Sequence, residues 1–200
     1  MRRWLLYGVI LGLWPALAEA QSAAAPLPRI DVRALFKTPL PALTDGATRF
    51  SAPAASGPLV FLFLAPECPL CKNYSLTLNQ LYQKYGAQAH FFGIIPGKTD
   101  APGEVDAFIK KYHILFPLYR DPQLSVSKRL HAGVTPQAVV LDARGREIYS
   151  GLIDDWAASL GVQRAKVTHH YLQDALDAER KGQAPSPDRT TPVGCLINAF

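Results

Sequence analysis

Six consecutive apolar residues, Leu59 to Leu64 (LVFLFL), stand between Pro58 and Pro66. The run is too short for an ordinary helix and lacks the alternation of a strand with one wet face. It therefore predicts a strand covered on both sides. His90 to Ile95 (HFFGII), ended by Pro96-Gly97, is a second such run, and Ala138 to Leu141 (AVVL) a third. Between the first two, Leu70, Tyr74, Leu78, Leu81, Tyr82 and Tyr85 recur at helical spacing, and Gly86 stops the pattern. Pro102 to Tyr112 predicts a second helix, with Asp100 as N-cap and Val105, Phe108, Ile109 and Tyr112 inward. Pro117 to Tyr119 reads as a short strand and Gln123 to Leu130 as a short helix leading to Gly133. Asp142 to Gly145 turns AVVL into a hairpin with Glu147 to Ser150. Val167 to Lys181 predicts the last helix, with Leu172, Ala175 and Leu176 inward. Upstream, turn signals leave room only for a short strand near Arg49-Phe50. Alternating strands and helices imply one α/β domain over residues 30–181 with a central sheet.

The two ends read differently. Arg2 and Arg3 precede an apolar stretch from Trp4 to Leu17, and Ala18-Glu19-Ala20 supplies a small-x-small pattern. Residues 1–20 are thus expected to be a signal peptide, removed on export, with no stable membrane insertion afterwards. Residues 21–29 form a leader. Residues 182–200 form a Pro-rich tail that ends in the apolar segment GCLINAF, expected to dock back on the domain. The expected compartment is the periplasm or the medium. The net charge of +5 comes from scattered basic residues with no run of five or more, which argues against a nucleic-acid partner.

The chain has three cysteines, an odd number, so one is free, ligates something or pairs outside the chain. Cys68 and Cys71 lie in APECPLCK, directly after the LVFLFL strand and at the start of the following helix. Unpaired N–H groups and the macrodipole at a helix N-terminus favour an anion, so Cys68 is expected to ionise readily and act as the nucleophile. Pro69 suits the first helical position. Cys71, one turn on, is placed to resolve a mixed disulfide formed at Cys68. Half of a zinc site and a small static staple are the competing readings. Zinc needs two further ligands, and only Cys195 and scattered histidines remain. A staple would close too small a loop to constrain the unfolded chain much.

The cysteine segment resembles the active-site segment of the thioredoxin-like fold. Gly133-Val134-Thr135-Pro136-Gln137-Ala138 resembles the segment of that family in which a cis-proline opens a strand, and Asp142, Gly145, Tyr149 and Gly151 resemble its closing hairpin. The resemblance implies a three-layer sandwich, a mixed central sheet flanked by helices. Thr135 and a cis Pro136 would then face the cysteines and shape a substrate groove. The family acts by exchange with protein thiols, protein disulfides or a redox partner protein, and needs no bound cofactor or metal. Ala65-Pro66, Cys68-Pro69 and Phe116-Pro117 with Asp121-Pro122 are similar to the redoxin branch, which includes alkyl hydroperoxide reductases and thiol peroxidases.

The sequence departs from those patterns at several positions, and Pro69-Leu70 replaces the Gly-Pro between the cysteines of thioredoxin. Glu67 replaces the aromatic residue before the first cysteine of thioredoxin, Leu62 replaces its buried aspartate, and Ala65 replaces the threonine or serine of the peroxidases. An adjacent carboxylate opposes thiolate formation, and without the hydroxyl nothing positions a peroxide. The expected activity is therefore thiol–disulfide exchange, with a thiol peroxidase as the alternative. Cys195 is either a buried thiol acting as a small hydrophobe, an extra resolving thiol, or a third soft ligand in a Cu(I)-binding or chaperone module. His169-His170 and Asp154-Asp155-Trp156 read as surface and loop residues.

Overall fold

The computed structural model describes residues 28–44, 49–98 and 103–197. The expected signal peptide, most of the expected leader, the expected Asp45-Gly46 turn, Asp100, Pro102 and the last three residues lie outside them.

Five strands form the central sheet in the order β3-β2-β1-β5-β6. They are β1 (Leu59–Phe63), β2 (His90–Pro96), β3 (Leu118–Asp121), β5 (Gln137–Leu141) and β6 (Glu147–Gly151). β1, β2 and β3 run parallel, while β5 is antiparallel to both β1 and β6. The sheet is therefore mixed, and β1 lies at its centre. The two faces of β1 go to separate cores. Val60, Leu62 and Leu64 pack with α2 (Pro69–Tyr85), α3 (Glu104–Tyr112) and α5 (Tyr171–Arg180). Leu59, Phe61 and Phe63 pack with α1 (Val32–Phe36), α4 (Ser125–Arg129) and the loop residue Phe50. Continuous apolarity in LVFLFL is thus explained by helices on both sides of the strand. The result is the thioredoxin-like three-layer sandwich.

Three expected elements differ, each for a local reason. Phe50 is not in a strand; its ring packs 4.7 Å from Phe36 and edge-on to Phe92 and Tyr119, so burial rather than pairing fixes it. The helix expected from Gln123 begins at Ser125, because the buried Asp121 carboxylate accepts the N–H groups of Ser125, Val126 and Ser127 and the Ser127 hydroxyl. The last helix begins at Tyr171 rather than Val167. Asp155 accepts the backbone N–H groups of Thr168 and His169 and the Thr168 hydroxyl, which holds that stretch extended. A small hairpin, β7 (Ala157–Ser159) with β8 (Val162–Gln163), is unannounced by any apolar pattern.

The tail returns to the domain. Thr190 pins it: the Leu152 N–H donates to its Oγ1 at 2.8 Å, and that hydroxyl meets the Tyr149 hydroxyl at 2.9 Å. Arg189 donates to the buried Glu147 carboxylate at 3.2 Å. Gly151 carries no side chain where Thr190 crosses; a Cβ there would collide with the Thr190 backbone. Beyond Thr190, Cys195–Leu196 forms β9, which pairs antiparallel with β4 (Val134–Thr135).

Candidate active site

The site is built where β1 ends, α2 begins and the β4–β5 corner meets them. Cys68 is the N-cap of α2 in extended backbone, and Pro69 opens the helix. No side-chain hydrogen bond caps this end, where a helix leaves its first-turn N–H groups without intrahelical partners. The chain reverses just before: the Cys68 N–H donates to the Ala65 carbonyl at 3.1 Å.

Cys68 is bonded to Cys195, with Cα atoms 6.1 Å apart, within ordinary disulfide reach. Cys71 is the free thiol, and it is buried. The expected partners Cys68 and Cys71 are therefore not joined in this form. Cys195, whose alternatives the sequence leaves open, is neither a lone hydrophobe nor a distant tail residue. Its register partner across β4–β9 is Thr135.

Thr135 touches the chemistry of all three cysteines. Its carbonyl oxygen lies 3.1 Å from the Cys68 Sγ. Its side chain hydrogen-bonds the Cys71 sulfur. Its backbone pairs with Cys195. The peptide bond to Pro136 is cis. The Gln137 side chain accepts from the Gly133 N–H at 3.0 Å and thus braces the corner that presents Thr135.

The Cys71 thiol is pushed up from 9.0 to about 12, first of all by burial. Hydrogen bonds from the Ala65 N–H and Thr135 oppose the rise, and the Glu67 charge adds to it. Leu62 lies in the same apolar cluster as Cys68 and Cys71, in the position where thioredoxin carries an acid. Glu67 also lines a small cavity of about 100 Å³ beside Cys195, with Ala65, Pro96, Thr135, Leu196 and Ile197.

Sequence reasoning missed the support under α2. Tyr74, one turn past Cys71, donates its hydroxyl to the buried Asp154 carboxylate at 2.6 Å and accepts the Ala157 N–H at 3.3 Å. The Trp156 ring packs edge-on against Tyr74. The Asp-Asp-Trp loop is thus a buried brace, with Asp155 held well below the usual carboxylate range, first by the Thr168 hydroxyl. The only available signal was two adjacent carboxylates beside an indole in a chain of modest charge. Among the described residues, no group of three or more His, Cys, Asp or Glu side chains is arranged to hold a metal ion.

The family model for AhpC/TSA proteins matches residues 34–149, more than half of the chain. The chain belongs to the AhpC/TSA family. Its solved structural relatives include a hypothetical protein from Sinorhizobium meliloti 1021, 25% identical, with a TM-score of 0.70, covering 89% of this chain and 96% of that one. An uncharacterized conserved protein from Geobacillus kaustophilus is 24% identical, with a TM-score of 0.67, over 87% and 93% of the two chains. The bacterioferritin comigratory protein of Xanthomonas campestris, reported for alkyl peroxide reduction, is 21% identical, with a TM-score of 0.53, over 81% and 98%. The last two likenesses concern the fold alone. No curated protein matches the chain. In this AhpC/TSA member the matched segment ends before the tail that carries Cys195.

Proposed function

We propose that the chain is an exported thiol–disulfide oxidoreductase that exchanges with protein thiols or disulfides through Cys68. One observation carries the reading. Cys68 caps a helix N-terminus, is bonded to Cys195, and has a second thiol, Cys71, one turn further on. A sulfur with two alternative internal partners is equipped for transfer rather than for static bracing. Helix α2 stabilises the Cys68 thiolate as a leaving group, and Cys71 takes over the bond when a partner departs.

Peroxidase action has less support. Ala65 supplies no hydroxyl, and Cys68 is fully covered. The second reading, capture of Cu(I) by Cys68, Cys71 and Cys195 in the reduced state, has less support as well, since among the described residues no such group is arranged to hold a metal ion. The export reading rests on residues 1–20, which carry the signal-peptide pattern, and the compartment proposed is the periplasm or the medium. Among the described residues, no helix is long and apolar enough to cross a membrane.

The test is turnover of insulin or a scrambled disulfide protein. Cys68→Ser is expected to abolish it, and a Cys71→Ser/Cys195→Ser double variant to accumulate mixed disulfides at Cys68. Unchanged turnover in Cys68→Ser would sink the proposal. Stoichiometric Cu(I) uptake by the reduced protein, lost in Cys195→Ser, would favour the second reading instead.

A further inference from the structure

The tail does more than supply a sulfur; it fills the place where a polypeptide would react. After a bend at Gly194, Cys195–Leu196 runs as a strand beside Val134–Thr135. Thr135 is in register with Cys195 and Val134 with Leu196, and the Ile197 N–H donates to the Gly133 carbonyl at 3.0 Å. This is strand addition to a two-residue edge, with the cysteine of the added strand bonded to Cys68. The approach is close. A Cβ on Gly194 would lie 2.7 Å from the Thr135 carbonyl carbon and 3.2 Å from the Pro136 nitrogen, so backbone would have to shift to admit it. Leu196 points into solvent, 73% exposed, so it contributes little apolar hold. The segment is moored at Thr190 and held beyond it by few backbone contacts and one covalent bond.

We propose that residues 193–197 are a tethered stand-in for the polypeptide substrate, and that exchange at Cys71 detaches them. The inference rests on the thiol-exchange reading above. While Cys195 is bonded to it, Cys68 has no exposed surface, so an outside chain cannot reach it. Cys71, inside the core, needs no access. Its thiolate attacks the Cys68 sulfur, a Cys68–Cys71 bond forms and the Cys68–Cys195 bond breaks. Cys195 leaves as a thiolate and takes up the proton that Cys71 gave up. The chain holds one disulfide before and after, so no oxidant or reductant is consumed. The vacated edge then admits an extended polypeptide thiol, whose thiolate attacks Cys68, forms a mixed disulfide and releases Cys71. The tail defines what fits: a segment with glycine before its cysteine, running antiparallel to Val134–Thr135.

Two measurements on the full mature protein test this. In oxidised Cys195→Ser, the thiol peptide Val-Gly-Cys-Leu-Ile is expected to form the Cys68 mixed disulfide at least tenfold faster than Val-Ala-Cys-Leu-Ile. In Gly194→Ala, disulfide mapping by mass spectrometry is expected to show the ratio of Cys68–Cys195 to Cys68–Cys71 at least tenfold below that of the unsubstituted protein. Equal, measurable rates for the two peptides would overturn the stand-in while leaving thiol exchange intact. No reaction with either peptide would overturn both. An unchanged ratio in Gly194→Ala would show that the close approach does not govern docking, which also overturns the stand-in.

Discussion

Cys71 and Cys195 both stand within reach of the same region around Cys68, in opposite surroundings. Cys71 sits on the first turn of a 17-residue helix, packed among Leu62, Leu70 and Leu78, with burial pushing its thiol up to about 12. Cys195 sits in a short strand beside a small open cavity, moored through Thr190. The inner sulfur is fixed in place but rarely ionised. The outer one is easily reached but holds its place through few contacts. Position and readiness are thus divided between two residues, and the division favours the Cys68–Cys195 form at neutral pH.

The largest effects come from removing each sulfur in turn. Cys71→Ser is expected to slow turnover of a protein disulfide by about 100-fold, because the buried thiolate that displaces Cys195 from Cys68 is then missing and the Cys68–Cys195 bond stays closed. Cys195→Ser is expected to leave that rate within about threefold or to raise it, because the groove is no longer tied shut. Steady-state assays on the two variants would reverse the assignment if the larger loss fell on Cys195.

Next in size is pH. The fraction of Cys71 in thiolate form should rise about tenfold per pH unit up to its value near 12, and release of Cys195, read by rapid alkylation, should follow it. A plateau near pH 9 would mean that Cys71 is not buried as described. Stability moves the other way with pH. Folded Cys71 keeps its proton where the unfolded thiol loses it, so its contribution is full below about 9 and is lost as pH rises toward about 12.

A smaller effect is expected from the mooring. Thr190→Val removes the hydroxyl that serves Leu152 and Tyr149. Loss of those buried bonds costs about 1–3 kcal/mol, enough to shift the ratio of Cys68–Cys195 to Cys68–Cys71 by about tenfold. Disulfide mapping would reveal an unchanged ratio, which would separate the mooring from the strand. The smallest effect concerns Asp155, far from the sulfurs in role. Its folded carboxylate is held low, so the stability it contributes is present above its ordinary value of 3.8 and is lost as pH falls below it. Asp155→Asn should make acid unfolding less steep without altering exchange at neutral pH; an unchanged acid limb would remove this carboxylate from the fold's support.

The same contrast explains what could be read in advance. Strands β1, β2 and β5 and helix α2 were legible because each carries its apolar pattern within one segment. The cysteine pair was legible because strand, Pro66, Cys68 and helix follow one another in the chain. What escaped depends on single polar groups acting across loops. Asp121 and Asp155 set helix starts by accepting N–H groups several residues away, and no periodicity announces that. The Tyr74–Asp154 contact joins α2 to a loop remote in sequence. The apolar ending GCLINAF signalled docking, but a two-residue strand has no period, so its partner Val134–Thr135 and its bond to Cys68 lay outside what the pattern could specify. The disulfide in particular could not follow from sequence, since three cysteines allow three pairings.

Mass-spectrometric disulfide mapping of the oxidised protein at neutral pH tests most directly whether Cys68 is the sulfur shared by the other two. The expected result is Cys68–Cys195 as the main linkage, Cys68–Cys71 as the minor one, and Cys71 alkylated only after unfolding. A dominant Cys71–Cys195 bond, with Cys68 free, would contradict it.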